Sequence, residues 1–152
     1  MLDPWYITGL VEGEGCFRVS FNLRAKLKTK IEVRPSFSLS LKDLSVIKEL
    51  REYFGCGGIR FSRTDNTYKY EVRSIADLIE KIVPHFEKYP LKGKKSNDFN
   101  IFKKICKMIR MNLDRSPRYL REILELAYKM NTPGNRKYKK AHLLKVLGKV
   151  KG

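Results

Sequence analysis

Long hydrophobic runs are missing from this chain. No apolar stretch approaches the roughly 20 residues that a membrane-spanning helix needs, so a membrane protein is not expected. The start carries no basic segment followed by an apolar core, so no signal peptide is expected either. Cysteine is scarce. Cys16, Cys56 and Cys106 are odd in number and widely spaced, with no CxxC pair and no disulfide framework. That points to an intracellular, reducing compartment, the cytoplasm or an organelle matrix. Only two histidines are present, His85 and His142, far apart; they build neither an HExxH zinc helix nor a histidine-based nuclease motif, and both are expected to be structural or surface residues. Acids are few as well: Asp plus Glu number 16 against 33 Lys plus Arg, a formal charge of +17. That balance favours a nucleic acid or an anionic membrane surface as partner. With 152 residues the chain suits one domain with a real core, 1–152, with a motif helix at about 4–14 and a basic helical tail at about 133–152.

The most informative segment runs from Trp5 to Phe17. Asp3 reads as an N-cap, Pro4 as the first helical residue and Gly15 as a C-terminal cap. Two features fit an ordinary helix poorly. Gly9 and Gly13 share one face, at a propensity cost of about 1 kcal/mol each. Glu12 and Glu14 sit at the carboxyl end, where the helix dipole disfavours anions. A bare face lets another backbone approach, and a carboxylate at the negative helix end calls for a cation. Together they suggest two such helices packed face to face, with Trp5, Gly9, Glu12 and Gly13 at the interface, each helix delivering an acid to a shared metal site.

Downstream the periods alternate. Cys16 to Leu27 and Ile31 to Leu41 have period two, joined by a basic turn at Ala25 to Lys30. Pro35 suggests that the second strand is an edge or bulged one. Asp43 caps a predicted helix from Leu44 to Phe54 with Val46, Ile47, Leu50 and Phe54 as its stripe, and Gly55 to Gly58 ends it. A hairpin follows, turning at Asp65-Asn66, with Ile59 and Phe61 on one side of the first strand, Arg60 and Ser62 on the other, and Tyr68, Tyr70 and Val72 inward. Ser74 caps a helix from Ile75 to about Val83, and Pro84 and Pro90 punctuate. Helical patterns resume at Ser96 to Met111 and Pro117 to Met130; Thr132-Pro133-Gly134 is a break before a basic helix from Tyr138 to Val150. The class is α+β, a four-stranded antiparallel sheet backed by helices.

One face of that sheet is polar and basic: Arg18, Ser20, Asn22, Arg24, Glu32, Arg34, Ser36, Ser38, Ser40, Arg60, Ser62, Lys69, Glu71 and Arg73. Half of any two-faced sheet is solvated. Yet Arg pairs bidentately with guanine, Asn with adenine, and Glu accepts from cytosine, and a ribbon of strands fits the major groove.

Ile7 to Gly15 resembles the nine-residue signature of the LAGLIDADG homing endonucleases: Gly9, Leu10-Val11, Glu12, Gly13, Glu14 and Gly15 fall in register, and the order of elements fits. The resemblance implies the αββαββα homing-endonuclease fold with extra C-terminal helices. It implies a sequence-specific double-strand DNA endonuclease that depends on Mg²⁺ or another divalent cation such as Mn²⁺. By the same resemblance Glu14 holds the metal, with the Gly13 carbonyl helping. A lysine loop near the scissile phosphates matches Pro90 to Lys95, with Lys94 first choice as catalytic lysine and Lys92 second. The family's glutamine after the second strand is replaced by Leu41-Lys42, which passes its role to Lys42 or to water. The motif occurs once, so a homodimer on a palindromic or nearly palindromic site is expected. Strands of about ten residues span roughly 33 Å, or about ten base pairs per half-site. The alternative is a non-catalytic nucleic-acid-binding protein on the same scaffold, an RNA-splicing maturase or a transcription regulator.

Overall fold

The computed structural model describes residues 1–130 and 136–150; the expected break at Thr132 to Gly134 lies outside the described residues. Helix α1 (Pro4–Glu14) starts as its sequence predicts, with Asp3 Oδ1 accepting from the backbone N–H groups of Trp5 (2.8 Å) and Tyr6 (3.2 Å). It does not end through a left-handed glycine. Gly15 is extended, at φ −80° and ψ 161°, and leads straight into β1 (Gly15–Leu23). Its missing side chain serves close approach, since a Cβ there would lie 2.5 Å from Val11 Cγ1.

Strand β1 stops at Leu23, four residues before the alternation in sequence does. Residues 24–30 turn the chain, closed by Arg24 N–H donating to the Lys30 carbonyl at 2.8 Å. Strands β2 (Ile31–Leu41), β3 (Gly58–Ser62) and β4 (Thr67–Val72) complete one antiparallel sheet in the order β1-β2-β4-β3. So β2 is a central strand, and its register with β1 runs without a bulge from Leu39 to Ile31. Pro35 is tolerated because β4 pairs only as far as Phe37, opposite Val72; Pro35 faces Val19 on one side and no strand on the other. Phe61 and Tyr68 pair across the hairpin; Tyr68 packs partly against the core, whereas Phe61 overruns it and is 46% exposed.

Helix α2 (Leu44–Phe54) is capped by Asp43, which accepts from Ser45 N–H at 2.9 Å, and ends at Gly55 with φ +68°. Gly57 (φ +90°) is the glycine this connection cannot replace, since a Cβ would stand within 2.9 Å of Tyr70, Glu71 and Val72. Pro84 does not end the next helix. The chain runs through α3 (Ile75–Asp77), a π turn (Leu78–Ile82) and α4 (Val83–Lys88). Val83 N–H bonds five residues back to Leu78, and Pro84 opens the first turn of α4, where no N–H is missed. Helix α5 (Gly93–Arg110) begins three residues before the expected Ser96. A short 3₁₀ turn (Leu113–Arg115) leads to α6 (Pro117–Ala127), and α7 (Lys140–Gly148) is shorter than its pattern suggests.

The helices cover the apolar face of the sheet. Phe17 stands at the centre of the core, its ring 5.2 Å from Phe37 and 5.3 Å from Phe86, Phe99 and Phe102. All three cysteines are free thiols, Cys106 the most buried, and burial pushes its pKa up to about 12.

Beneath α1 lies a buried polar relay. Thr8 Oγ1 donates its one proton to the Tyr89 carbonyl at 2.8 Å, so it accepts from His85 Nε2 at 3.1 Å. His85 Nδ1 then accepts from the Tyr53 hydroxyl at 2.9 Å. Burial lowers the His85 pKa to about 4. The folded protein therefore keeps His85 neutral where the unfolded chain, titrating near 6.5, takes up a proton. The stabilisation is complete above pH 6.5 and is lost as pH falls toward 4. Urea titrations across that window are expected to show wild type losing about 3 kcal/mol more than His85→Gln; equal losses would mean that His85 is protonated in the fold.

Candidate active site

Helix α1 buries Ile7, Thr8 and Val11 and turns its other side outward. That side carries Trp5, Tyr6, Gly9 and Gly13. A Cβ on Gly9 or Gly13 would meet nothing within 4 Å, and Trp5 is 55% exposed although its ring meets Tyr89 edge-on. Packing within this chain does not require these glycines. They leave a flat strip of backbone open to another molecule.

Glu14 closes α1, exposed, with no basic residue in the last turn of the helix. The cation comes from the start of α5. Lys95 Nζ donates to the Val11 carbonyl (3.0 Å) and the Gly15 carbonyl (2.6 Å). Glu12 is drawn onto its own chain: its Oε2 accepts the backbone N–H of Lys92 at 3.0 Å. Among the described residues no three His, Cys, Asp or Glu side chains gather as a metal site. This end of α1 offers one exposed carboxylate beside last-turn carbonyls, Gly13 included, of the kind a helix end leaves without an intrahelical donor. Such hard oxygens suit Mg²⁺ or Ca²⁺ better than a thiophilic metal.

From Cys16 onward, next to Glu14, the polar face of the sheet forms a groove of about 580 Å³. Eleven of the fourteen expected face residues line it; Arg24, Ser40 and Ser62 stand at strand ends outside it. Its acids are held by neighbouring cations. Glu32 pairs with Arg24 (2.7 Å) and Arg34 (3.8 Å), and Glu71 with Arg73 (3.0 Å) and Lys69 (3.7 Å). The Arg24 hydrogen bond holds the Glu32 carboxyl below its usual range. Arg18 and Arg60 enter none of these pairs. Across the sheet Arg18 faces Ser36, Ser20 faces Arg34, and Arg60 faces Lys69.

The description "LAGLIDADG endonuclease" belongs to the family whose sequence profile matches residues 7–106. The chain belongs to the LAGLIDADG endonuclease family. It resembles the uncharacterized 50.9 kDa protein in ND4 intron 1 of Podospora anserina, at 38% identity over 72% of this chain and 25% of that protein. Among solved structures it resembles the homing endonuclease I-TnaI, with TM-score 0.84 and 35% identity over 99% of either chain. It also resembles the archaeal intron-encoded homing endonuclease I-Vdi141I complexed with DNA, with TM-score 0.88 and 29% identity over 96% of this chain and 94% of that one. The chain spans a quarter to about half the length of the first curated relatives it matches.

In this LAGLIDADG chain Lys95 meets the motif helix, and Lys94 is exposed in the first turn of α5. Lys92 supplies its backbone N–H rather than a charge to α1. Lys42 is exposed just past β2, at the other end of that strand from Ile31. The sequence reading missed the wall of the groove beside β1, built by Arg136, Lys137 and Tyr138. Arg136 donates to the Val19 and Ala127 carbonyls, each at 2.6 Å, and lies 4.6 Å over the Tyr128 ring; Lys137 Nζ reaches Asn22 Oδ1 at 3.5 Å. A basic tail was legible, but no local pattern marks its contacts with Val19 and Asn22, more than a hundred residues away.

Proposed function

We propose that this chain is a site-specific DNA endonuclease acting as a homodimer, cutting both strands of a long, nearly palindromic site with a divalent cation, Mg²⁺ in the first instance. The observation that carries this reading is the meeting of three features at one end of α1: an open glycine strip, an exposed Glu14 and the mouth of a cationic groove. Relatives named as intron-encoded endonucleases and a DNA-bound structural neighbour support it.

Two copies joined through their glycine strips bring two Glu14 carboxylates together beneath the duplex. Glu14 and the Gly13 carbonyl would hold the cation, which when bound supplies a Lewis acid and lowers the pKa of water. The groove residues hold the phosphodiester in register, and Lys42 and Lys94 supply positive charge near the backbone. At 11 residues β2 spans about 36 Å, again about ten base pairs for each copy.

Base reading and general attraction are divided in the chain. Residues 91–152 carry 18 of the 33 basic residues and four of the 16 acids, so most of the excess charge lies outside the sheet. Selection from randomised duplexes, followed by plasmid cleavage with Mg²⁺, tests the reading; no cleavage of the selected site at any divalent metal would leave a binding protein only. Arg18→Ala or Arg60→Ala is expected to cost about 1–3 kcal/mol on the preferred site and to relax preference at two positions mirrored about its centre. Lys139→Ala is expected to weaken all sequences alike and lower the salt slope by about one if it meets a phosphate. Uniform loss from the arginine variants, with no mirrored change, would exclude the sheet as the reading surface.

A further inference from the structure

At the outer end of the groove, where β1 meets the segment before α7, the polar side chains satisfy one another. Lys137 Nζ donates to Asn22 Oδ1 at 3.5 Å. Asn22 faces Glu32 across the paired strands. The Arg24 hydrogen bond first, and the Asn22 amide after it, hold the Glu32 carboxyl below its usual range. Glu32 Oε2 accepts from Arg24 at 2.7 Å, and Oε1 faces Arg34 at 3.8 Å. Resting on the reading of the sheet as the DNA-facing surface, we infer that Asn22 and Glu32 are positioning residues rather than base readers, and that Lys137 and Arg34 read guanine at the outer end of each half-site.

The amide of Asn22 has a fixed sense. A lysine only donates and a carboxylate only accepts, so its oxygen faces Lys137 and its nitrogen faces Glu32. Reading adenine takes both ends of that amide, one for N6–H and one for N7, and here both are engaged. Glu32 would need a free oxygen to accept from cytosine, yet a guanidinium stands at each of its oxygens. Its side chain is 27% exposed, against 54% for Arg24 and 48% for Arg34, so the acid is recessed and the cations stand outward. Arg34 and Lys137 line the groove, and Arg24 stands outside it. Both lining cations offer only N–H donors, and guanine is the base whose major-groove edge offers two acceptors and no donor. Lys137 is also firmly presented. On one side of it Arg136 ties to the Val19 and Ala127 carbonyls, and on the other the Tyr138 carbonyl accepts from the Tyr128 hydroxyl at 2.5 Å. Asn22 lies seven residues along β1 from Gly15. That is roughly 23 Å, or about seven base pairs out from the Glu14 end of the strand.

The test is selection from randomised duplexes with the full chain, followed by affinity in Ca²⁺ for the selected duplex carrying 7-deazaguanine, which lacks the N7 acceptor. Wild type is expected to select guanine about seven base pairs from the centre in each half-site, and the analogue there to weaken binding about tenfold. Arg34→Ala and Lys137→Ala are each expected to bind the natural duplex about tenfold more weakly and to become indifferent to the analogue at one guanine. Lys137 is exposed, so its loss leaves the fold intact. Glu32→Gln keeps the size of the side chain and releases both arginines. It is expected to lower the guanine preference about tenfold, while affinity for unrelated duplexes does not fall, because an acid has left the groove. Asn22→Ala is expected to relax the same preference, and Asn22→Gln, which keeps the amide, to restore part of it.

Adenine selected at these positions and lost in Asn22→Ala would overturn the inference, because it makes Asn22 a reader. An equal response to 7-deazaguanine from wild type, Arg34→Ala and Lys137→Ala would also overturn it. If wild type selects no preferred duplex at all, the reading of the sheet fails first, and the inference falls with it.

Discussion

Glu14→Gln is expected to lose DNA cleavage by three orders of magnitude or more while binding its selected duplex as wild type does. The amide keeps the size of the side chain and removes the charge that draws a divalent cation. A bound metal contributes several kcal/mol of transition-state stabilisation, and about 1.4 kcal/mol is tenfold in rate, so its loss corresponds to roughly a thousandfold. Fold stability is expected to change little, since Glu14 is exposed and its carboxylate opposes the helix dipole. Parallel loss of cleavage and duplex affinity, measured by gel shift in Ca²⁺, would make Glu14 a structural acid. Undiminished cleavage would move the metal to another residue.

Gly9→Leu or Gly13→Leu is expected to give folded monomers. Apart from the neighbouring backbone of α1 itself, no atom of the described residues lies within 4 Å of a Cβ at either position, so leucine there meets no packing neighbour at its first carbon. Replacing glycine inside a helix should raise the stability of the single chain by as much as about 1 kcal/mol. The same side chain, pressed against a second copy, holds the two helices apart. Sedimentation is expected to show the dimer lost, thermal melting an intact fold, and cleavage assays no double-strand product. An intact dimer in both variants would place the interface elsewhere.

The local rules made much of this fold legible. Asp3, Asp43 and Ser74 cap the helices predicted for them, and the alternation of Ile31 to Leu41 marks a strand with those very ends. Two of the failures, at Pro35 and at the groove wall, depend on a partner distant in sequence. Pro35 reads as an edge signal, but it sits in a central strand because β4 is too short to reach it. Pro84 reads as a stop, yet a π turn, which the 3.6-residue period does not describe, carries the helix past it. The polar face was visible as period two, whereas its wall at Arg136 to Tyr138 was not. The contact of Lys95 with α1 was not foreseen, and it turns on where α5 begins. A start at Gly93 aims Lys95 at the motif helix, and nothing in a run of lysines sets that rotation.

The strip at Gly9 and Gly13 offers a second copy no side chain by which to tell self from near-self. At the two glycines charge and side-chain hydrogen bonding are absent, so any discrimination rests on Trp5 and Tyr6 beside them, which belong to α1 itself. Two versions of this protein made in the same cell, alike in α1 but different in their sheets, would then pair without preference, giving mixed and matched couples in roughly two-to-one-to-one proportion. The mixed couple would read two unlike half-sites joined at a common centre. Recognition could diverge one strand face at a time while the machinery of assembly stays still, and keeping partners apart would require adding something to this strip rather than refining what is there.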